Sequence, residues 1–362
     1  MRHGDPAVTV ALSVRDGATW LGAAIESVLA QTFGDFEFLI LDDGSRDASA
    51  DVVRAFAARD ARVQLISREN RGLVASLNEL LGRARAPLVA RMDADDLCHP
   101  ERFARQVAFL RANPDHGVVG TGEEFIDSRG VLRSASGDIP CRHEDIVAAF
   151  AAGGVPLSHP TVMFRRDLVR AVGGYRAAFR HCEDLDLWLR LAGSTRLANL
   201  PEPLLRYRRH GNQVSVRHAY AQSYGAAVAR LAWRARDAGR PDPIGDRPLL
   251  PPIEDIDRLF GERGLARSLR GQLVSGLMHG PAIADAPAFA QLILHVRECD
   301  APRAFLPLVP RLLVWGHPRR AADLARAILM PGRGKPRDDR MTIALLAGLA
   351  CGPVALAMFA LD

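Results

Sequence analysis

The sequence predicts an α/β fold: a Rossmann-like, mostly parallel sheet flanked by helices, followed by a helical C-terminal region. Three observations carry this. Short β-rich runs alternate with amphipathic segments of about a dozen residues through the first half of the chain. Three of those runs end in acidic loops. From about Val216 strand signals vanish, and Ala/Leu/Arg-rich helical stretches are separated by a Pro-rich segment, Arg240 to Pro252.

In order, Val8–Ser13 reads as strand 1. Trp20 to Ala30 is a helix, with Leu21, Ile25, Val28 and Leu29 at helical spacing. Phe36–Leu41 is strand 2 and ends in Asp42-Asp43-Gly44-Ser45; Ala48 to Ala58 is the next helix. Strand 3 is Val63–Ile66, the third helix Leu73 to Ala84, and strand 4 Leu88–Met92, after Pro87. A helix over Glu101 to Asn113, strands at Gly117–Gly120 and Thr161–Phe164, and a helix over Asp184 to Leu191 follow; Leu185, Trp188 and Leu189 share a face there, and Trp188 is expected in the core. Right-handed crossovers give the strand order 3-2-1-4. That order puts a switch point between strands 1 and 4, so the loops Val14–Gly17, Asp42–Ser45 and Asp93–Asp96 open beside one crevice, where such sheets bind ligands.

The most informative stretch is Arg91-Met92-Asp93-Ala94-Asp95-Asp96. Crowded carboxylates repel, and a hard cation relieves that repulsion. Mg²⁺ typically takes one or two carboxylates together with phosphate oxygens. Asp93 and Asp95 are therefore candidate ligands for a metal–diphosphate unit, against the plainer reading of a solvated acidic turn capping the helix near Pro100. Asp42 or Asp43 offers acceptors for a base N–H or a ribose hydroxyl, while Ser45 or Asp47 is positioned to cap the next helix. Arg71, after strand 3, either reaches a base or phosphate or is an ordinary surface arginine. His210, in a basic loop, either completes a metal site or lies on the surface. His159, before Pro160, reads as structural more readily than acceptor-side.

Composition bounds the partners. The chain has 362 residues, 48% hydrophobic and 25% charged, ample for a full core and two domains. A net charge of +5 from 47 basic and 42 acidic residues, without a run of five like charges, speaks against nucleic acid as a partner. Five scattered cysteines without a CxxC pair fit a reducing compartment. Met1–Pro6 carries no apolar signal segment.

In ordered sequence, Val8–Gly17, Ala24–Phe33, Phe38–Asp47, Asn70–Leu73, Ala90–Asp96, Pro100–Leu110, His159–Phe164, Gly173–Tyr175, Glu183–Arg190 and Arg206–His210 resemble the family 2 glycosyltransferases with the GT-A fold. The likeness covers about residues 7 to 215. Each piece is weak alone; the ordered set is highly specific. It departs at Ser13-Val14-Arg15-Asp16, where the family usually has Pro-Val-Tyr-Asn, which puts the base contact in doubt.

The resemblance implies roles. Asp16, Asp42 and Asp43 would line the nucleoside pocket, with Val14, Arg71, Asp93 and Ala94 completing the donor site. Asp93 and Asp95, with Asp95 as the direct ligand and His210 as a further candidate, would hold Mn²⁺ or Mg²⁺. Asp184 would be the base that takes a proton from the acceptor hydroxyl, and in-line attack would invert the anomeric centre. The expected partners are a nucleotide-sugar donor and a glycan or lipid-linked acceptor. The expected setting is bacterial cell-surface polysaccharide synthesis, in the cytoplasm or at the inner face of the plasma membrane.

Other readings fit less well. A sugar-nucleotide nucleotidyltransferase needs a Gly-rich phosphate loop after strand 1, which Ser13–Gly17 is not. A processive synthase needs several membrane spans and a Gln-x-x-Arg-Trp motif. A catalytically inactive sugar-nucleotide-binding subunit conflicts with the intact Asp93/Asp95 and Glu183/Asp184. The expected organisation is a catalytic domain at 1–215, a helical region at 216–340 and an apolar tail at 341–362. Thr342 to Leu361 carries no charge, has Pro353 in its middle and follows the basic stretch Arg333 to Arg340. It reads as either a membrane-inserted tail or a buried or interfacial helix touching the membrane peripherally.

Overall fold

A computed structural model describes residues 4–211 and 218–329. These residues form two compact units, one of 4–211 with 225–250, the other of 218–224 with 251–329.

The first unit is a nine-stranded sheet: β1 (Val8–Val14), β2 (Phe36–Asp43), β3 (Val63–Arg68), β4 (Leu88–Met92), β5 (Leu97–Cys98), β6 (His116–Ile126), β7 (Leu132–Ala135), β8 (Met163–Arg165) and β9 (Arg196–Arg208). The order is β3-β2-β1-β4-β8-β6-β9-β5, with β7 on β6. The anticipated 3-2-1-4 arrangement is present and parallel; β8 then runs antiparallel to β4. Every residue of β2 and β4 is buried, as expected of strands covered on both faces.

The helices within residues 4–211 are α1 (Ala18–Leu29), α2 (Ser49–Ala57), α3 (Leu73–Arg83), α4 (Arg102–Ala112), α5 (His143–Ala151), α6 (Arg166–Ala171) and α7 (Glu183–Leu191). Helix α1 buries Leu21, Ala24, Ile25 and Val28, the stripe its spacing predicts. With Phe103 and Val107 of α4, these residues cover the sheet face that carries Val10, Leu12, Phe38, Ile40, Ala90 and Met92.

β5, β7, α5 and α6 were not anticipated, and the structure departs from the sequence reading in four further places. The strand expected at Gly117–Gly120 runs to Ile126. The one expected at Thr161–Phe164 begins as a 3₁₀ turn, His159–Thr161, and becomes strand only at Met163; Pro160 has no N–H for a ladder. β9 was not anticipated; Pro201 and Pro203 interrupt its strand pattern. It pairs with β6 through register shifts at Gly122, opposite Pro203. Finally, the first compact unit extends beyond residue 215. Arg176 of this unit ion-pairs with Asp242, which also binds Arg236. A Cβ placed on Gly225 would lie only 2.3 Å from Cys182 Sγ, just ahead of α7.

The second unit is helical; among its described residues there is no strand, as expected. Leu292, Val296, Leu312, Leu324 and Ile328 share its core. The apolar tail at 341–362 lies outside the described residues. Among the described residues no helix is long and apolar enough to cross a membrane. Cys98, Cys141, Cys182 and Cys299 are free thiols.

Candidate functional site

The site lies at the carboxyl edge of β1, β2 and β4. The first two loops are knitted together. Asp16 holds a left-handed backbone (φ 53°), tolerable for Asp, and its Oδ1 accepts from Arg46 N at 2.7 Å. Ser45 Oγ accepts from Asp16 N at 3.0 Å, and Asp47 accepts from both Ala18 N and Ser49 N. Asp47, not Ser45, therefore serves the start of α2. Val14 and Ala94 flank Gly17.

Asp42 is buried; it accepts from Ser45 N at 3.1 Å and Ser67 Oγ at 3.3 Å. Asp43 is more fully committed. It takes Asn70 Nδ2 at 2.8 Å, Arg71 N at 2.9 Å and Gly72 N at 2.8 Å, and ion-pairs with Arg68 at 2.6 Å. Its carboxylate thus pins the 70–72 turn, while the Arg71 side chain stays exposed. Gly44 (φ +73°) is required in this turn, since a Cβ there would sit 2.7 Å from Asn70 N.

The third loop gathers charge. Asp93, Asp95 and Asp96 each bring a carboxylate oxygen within 4.8 Å of the others. Asp93 ion-pairs with the buried Arg91. Asp95 Oδ2 lies 2.9 Å from His210 Nε2, and the His210 ring packs on Trp20 at 4.4 Å. Asp96 is 1% exposed; Oδ1 accepts from Arg208 N at 2.8 Å, and Oδ2 is buried without a hydrogen-bond partner. Burial, then the charges of Asp93 and Asp95, push the Asp96 carboxyl well above the usual range. Burial and the same carboxylates push up the Tyr207 phenol. An orphaned buried oxygen amid three crowded carboxylates and an imidazole is a donor set that fits a hard divalent cation.

Asp184 lies in the first turn of α7, half-buried, with Oδ1 accepting from Leu185 N at 2.7 Å. Burial raises its carboxyl, the Leu185 N–H and the Arg91 guanidinium pull it back, and Asp93 adds repulsion. Its neighbour Glu183 is pushed up to about 8 by burial and by Asp184, and its Oε2 has no hydrogen-bond partner. Glu183 is thus mainly protonated at pH 7. His159 is buried, 3.0 Å from Tyr175 Oη, and part of the aromatic packing around Trp188. Trp188 is fully buried, as expected.

Asp93, Asp95 and His210 are brought together across the sequence, and Asp93 and Asp184 interact electrostatically. Arg71 is not drawn to the acidic cluster by any contact of its side chain. Sequence reasoning singled out the stretch Arg91 to Asp96 but gave no role to Arg91 or Asp96, and it did not single out Tyr207. Arg91 carried a signal: an arginine inside a buried strand, two residues before Asp93, is costly unless paired.

Comparison with known proteins gives the same class. The family described as Glycosyl transferase family 2 matches residues 9–173. The Bacillus subtilis (strain 168) protein EpsE is 36% identical over 57% of this chain and 74% of its own length. The O-antigen biosynthesis glycosyltransferase WbnJ of Escherichia coli is 30% identical over 56% of this chain and 80% of its own. The amylovoran biosynthesis glycosyltransferase AmsE of Erwinia amylovora is 31% identical over 59% and 79%. Among solved structures, S. aureus TarS 1–349 aligns with a TM-score of 0.53 at 15% identity, covering 89% of this chain and 90% of that one. The fold is GT-A, and the chain belongs to the family 2 glycosyltransferases.

Proposed function

We propose that the protein moves a sugar from a nucleotide-sugar donor to a hydroxyl of a glycan or lipid-linked acceptor, with inversion, in the synthesis of a bacterial cell-surface polysaccharide. The observation that carries this is the acidic cluster Asp93/Asp95/Asp96 at the end of β4, with Asp184 electrostatically linked to it. Relatives named for O-antigen and amylovoran synthesis support the pathway class. A TarS structure described as a complex with UDP-GlcNAc, at TM-score 0.52, supports a nucleotide-sugar donor.

In this reading the loops of Val14, Asp16, Asp42, Asp43 and Ala94 enclose the nucleoside, with Arg71 at their rim. Asp42 retains acceptor capacity for a base or ribose; Asp43 acts indirectly, by holding the 70–72 turn. Asp93, Asp95 and His210 would hold Mn²⁺ or Mg²⁺, which would offset charge on the leaving diphosphate. Asp184 takes the proton of the attacking hydroxyl. Neutral Glu183 leaves that task to Asp184 and spares the site a second negative charge.

The test is a donor screen of the purified protein with Mn²⁺, scoring nucleoside diphosphate release, repeated with excess chelator and with Asp95→Ala. Donor-specific release that chelator and Asp95→Ala both abolish is expected. Full activity in chelator would remove the metal assignment, and no release from any nucleotide sugar with any glycan acceptor would remove the transfer reading.

A further inference from the structure

We infer that Arg91 is a positioning residue serving both halves of the reaction: one buried guanidinium fixes Asp93 on the donor side and offsets the charge of Asp184 on the acceptor side. The inference rests on the roles proposed above for Asp93 and Asp184.

The geometry begins with strand alternation. Leu88, Ala90 and Met92 of β4 point into the core beneath α1 and α4, so Val89 and Arg91 occupy the opposite face. On that face Val89 pairs with Phe164 of β8, whose ring lies 6.4 Å from Trp188 of α7. Trp188 and Asp184 are four residues apart and share one side of α7. The α7 surface bearing Asp184 therefore covers the sheet face bearing Arg91. Arg91 N is bonded to Val162 O at 3.0 Å, and Arg91 O accepts from the buried Arg102 at 2.9 Å, which fixes the backbone.

Charge accounting agrees. Arg91 is 4% exposed, ion-pairs with Asp93, and its Nε has no hydrogen-bond partner. Burial raises the carboxyls of Glu183 and Asp184, and the Arg91 guanidinium opposes that rise in both; it also works against protonation of His159. A buried cation with one ion-pair partner and the acidic start of α7 over its face of the sheet is not accounted for by packing alone.

Two double-mutant cycles on the full-length protein test this. MnCl₂ is titrated calorimetrically into the parent, Arg91→Met, Arg91→Lys, Asp93→Asn and Arg91→Met/Asp93→Asn. Deleting a positive charge that both repels the cation and engages Asp93 should tighten Mn²⁺ binding about threefold or more in Arg91→Met, leave Arg91→Lys near the parent, and tighten it by less once Asp93 is neutral. A residue that only fills space gives no gain in affinity and no rescue by lysine. Thermal unfolding forms the second cycle. Arg91→Met should lower Tm by less in the Asp184→Asn background than in the parent.

Unchanged Mn²⁺ affinity in a folded Arg91→Met, or additive Tm shifts, overturns the inference. A parent that takes up no Mn²⁺ removes the metal reading instead, and the thermal cycle alone then decides the Arg91–Asp184 link. If Arg91→Met does not fold, Asp93→Asn/Asp184→Asn takes its place. Stranding the guanidinium should cost more Tm than the two single changes together, and an additive result refutes the proposal.

Discussion

Asp95 Oδ2 and His210 Nε2 stand 2.9 Å apart although 115 positions separate the two residues. β5 and β9 make that meeting possible: Leu97 pairs with Arg206, so the chain leaving β9 returns beside the acidic loop. The imidazole either joins the cation as a ligand or orients Asp95 toward it. In both cases His210→Ala should weaken Mn²⁺ binding by about 10- to 100-fold, the usual cost of removing such a partner, with the fold intact. Calorimetric titration with MnCl₂ checks this, and an unchanged affinity would place His210 outside the metal site.

The Glu183–Asp184 pair yields a contrast of two isosteric variants. Asp184→Asn cannot accept a proton and should cut transfer by about 10²-fold or more, with donor KM little changed. Glu183, pushed up to about 8, is already neutral at pH 7, so Glu183→Gln should keep kcat within a few-fold of the parent. Steady-state kinetics of both variants at pH 7 decides the assignment; the reverse pattern would make Glu183 the base.

His159 predicts a pH-dependent stability term. Burial, then the Arg91 guanidinium, hold its imidazole well below the usual value of 6.5. Between the folded and unfolded pKa the unfolded chain binds the extra proton, so stability is complete above about pH 6.5 and falls as pH drops below it. His159→Gln lacks this term. The Tm gap between parent and His159→Gln should therefore narrow from pH 7.5 to pH 5. A gap constant across that range would show that His159 is not kept neutral by the fold.

Gly225 tests whether residues 225–250 are integral to the first unit. Its Cβ would meet Cys182 Sγ at 2.3 Å, so Gly225→Ala should destabilise by about 1–3 kcal/mol through overpacking. Adding Cys182→Ala should recover most of that loss, since the clash is with one sulfur. Chemical denaturation of the single and double variants measures it. Independent effects would mean that the two residues do not touch.

Much of this protein was legible in local pattern. β-rich apolar runs and period-3.6 hydrophobicity place β1 to β4 and α1 to α4 within a few residues, because each buries apolar surface against a neighbour close in sequence. Right-handed crossovers then dictate 3-2-1-4, and the order places Asp16, Asp42 and Asp93 at one edge before any coordinate is known. Asp184 was recognisable only as part of an ordered set of motifs.

Tertiary structure alone decided what depends on distant residues. The two prolines of β9 conceal a strand that only pairing with β6 reveals. Asp43 looks like a ligand group in sequence but spends its oxygens on the 70–72 turn. Arg91 looks like a stray charge in a strand until Asp93 beside it and α7 across the sheet supply its counter-charges. Residues 225–250 join the first unit because Asp242 finds Arg176 there. The reason is common to all four. Hydrophobic periodicity is a property of one segment, whereas the partner of a buried charge or an edge strand is set by which segments the folded chain brings together.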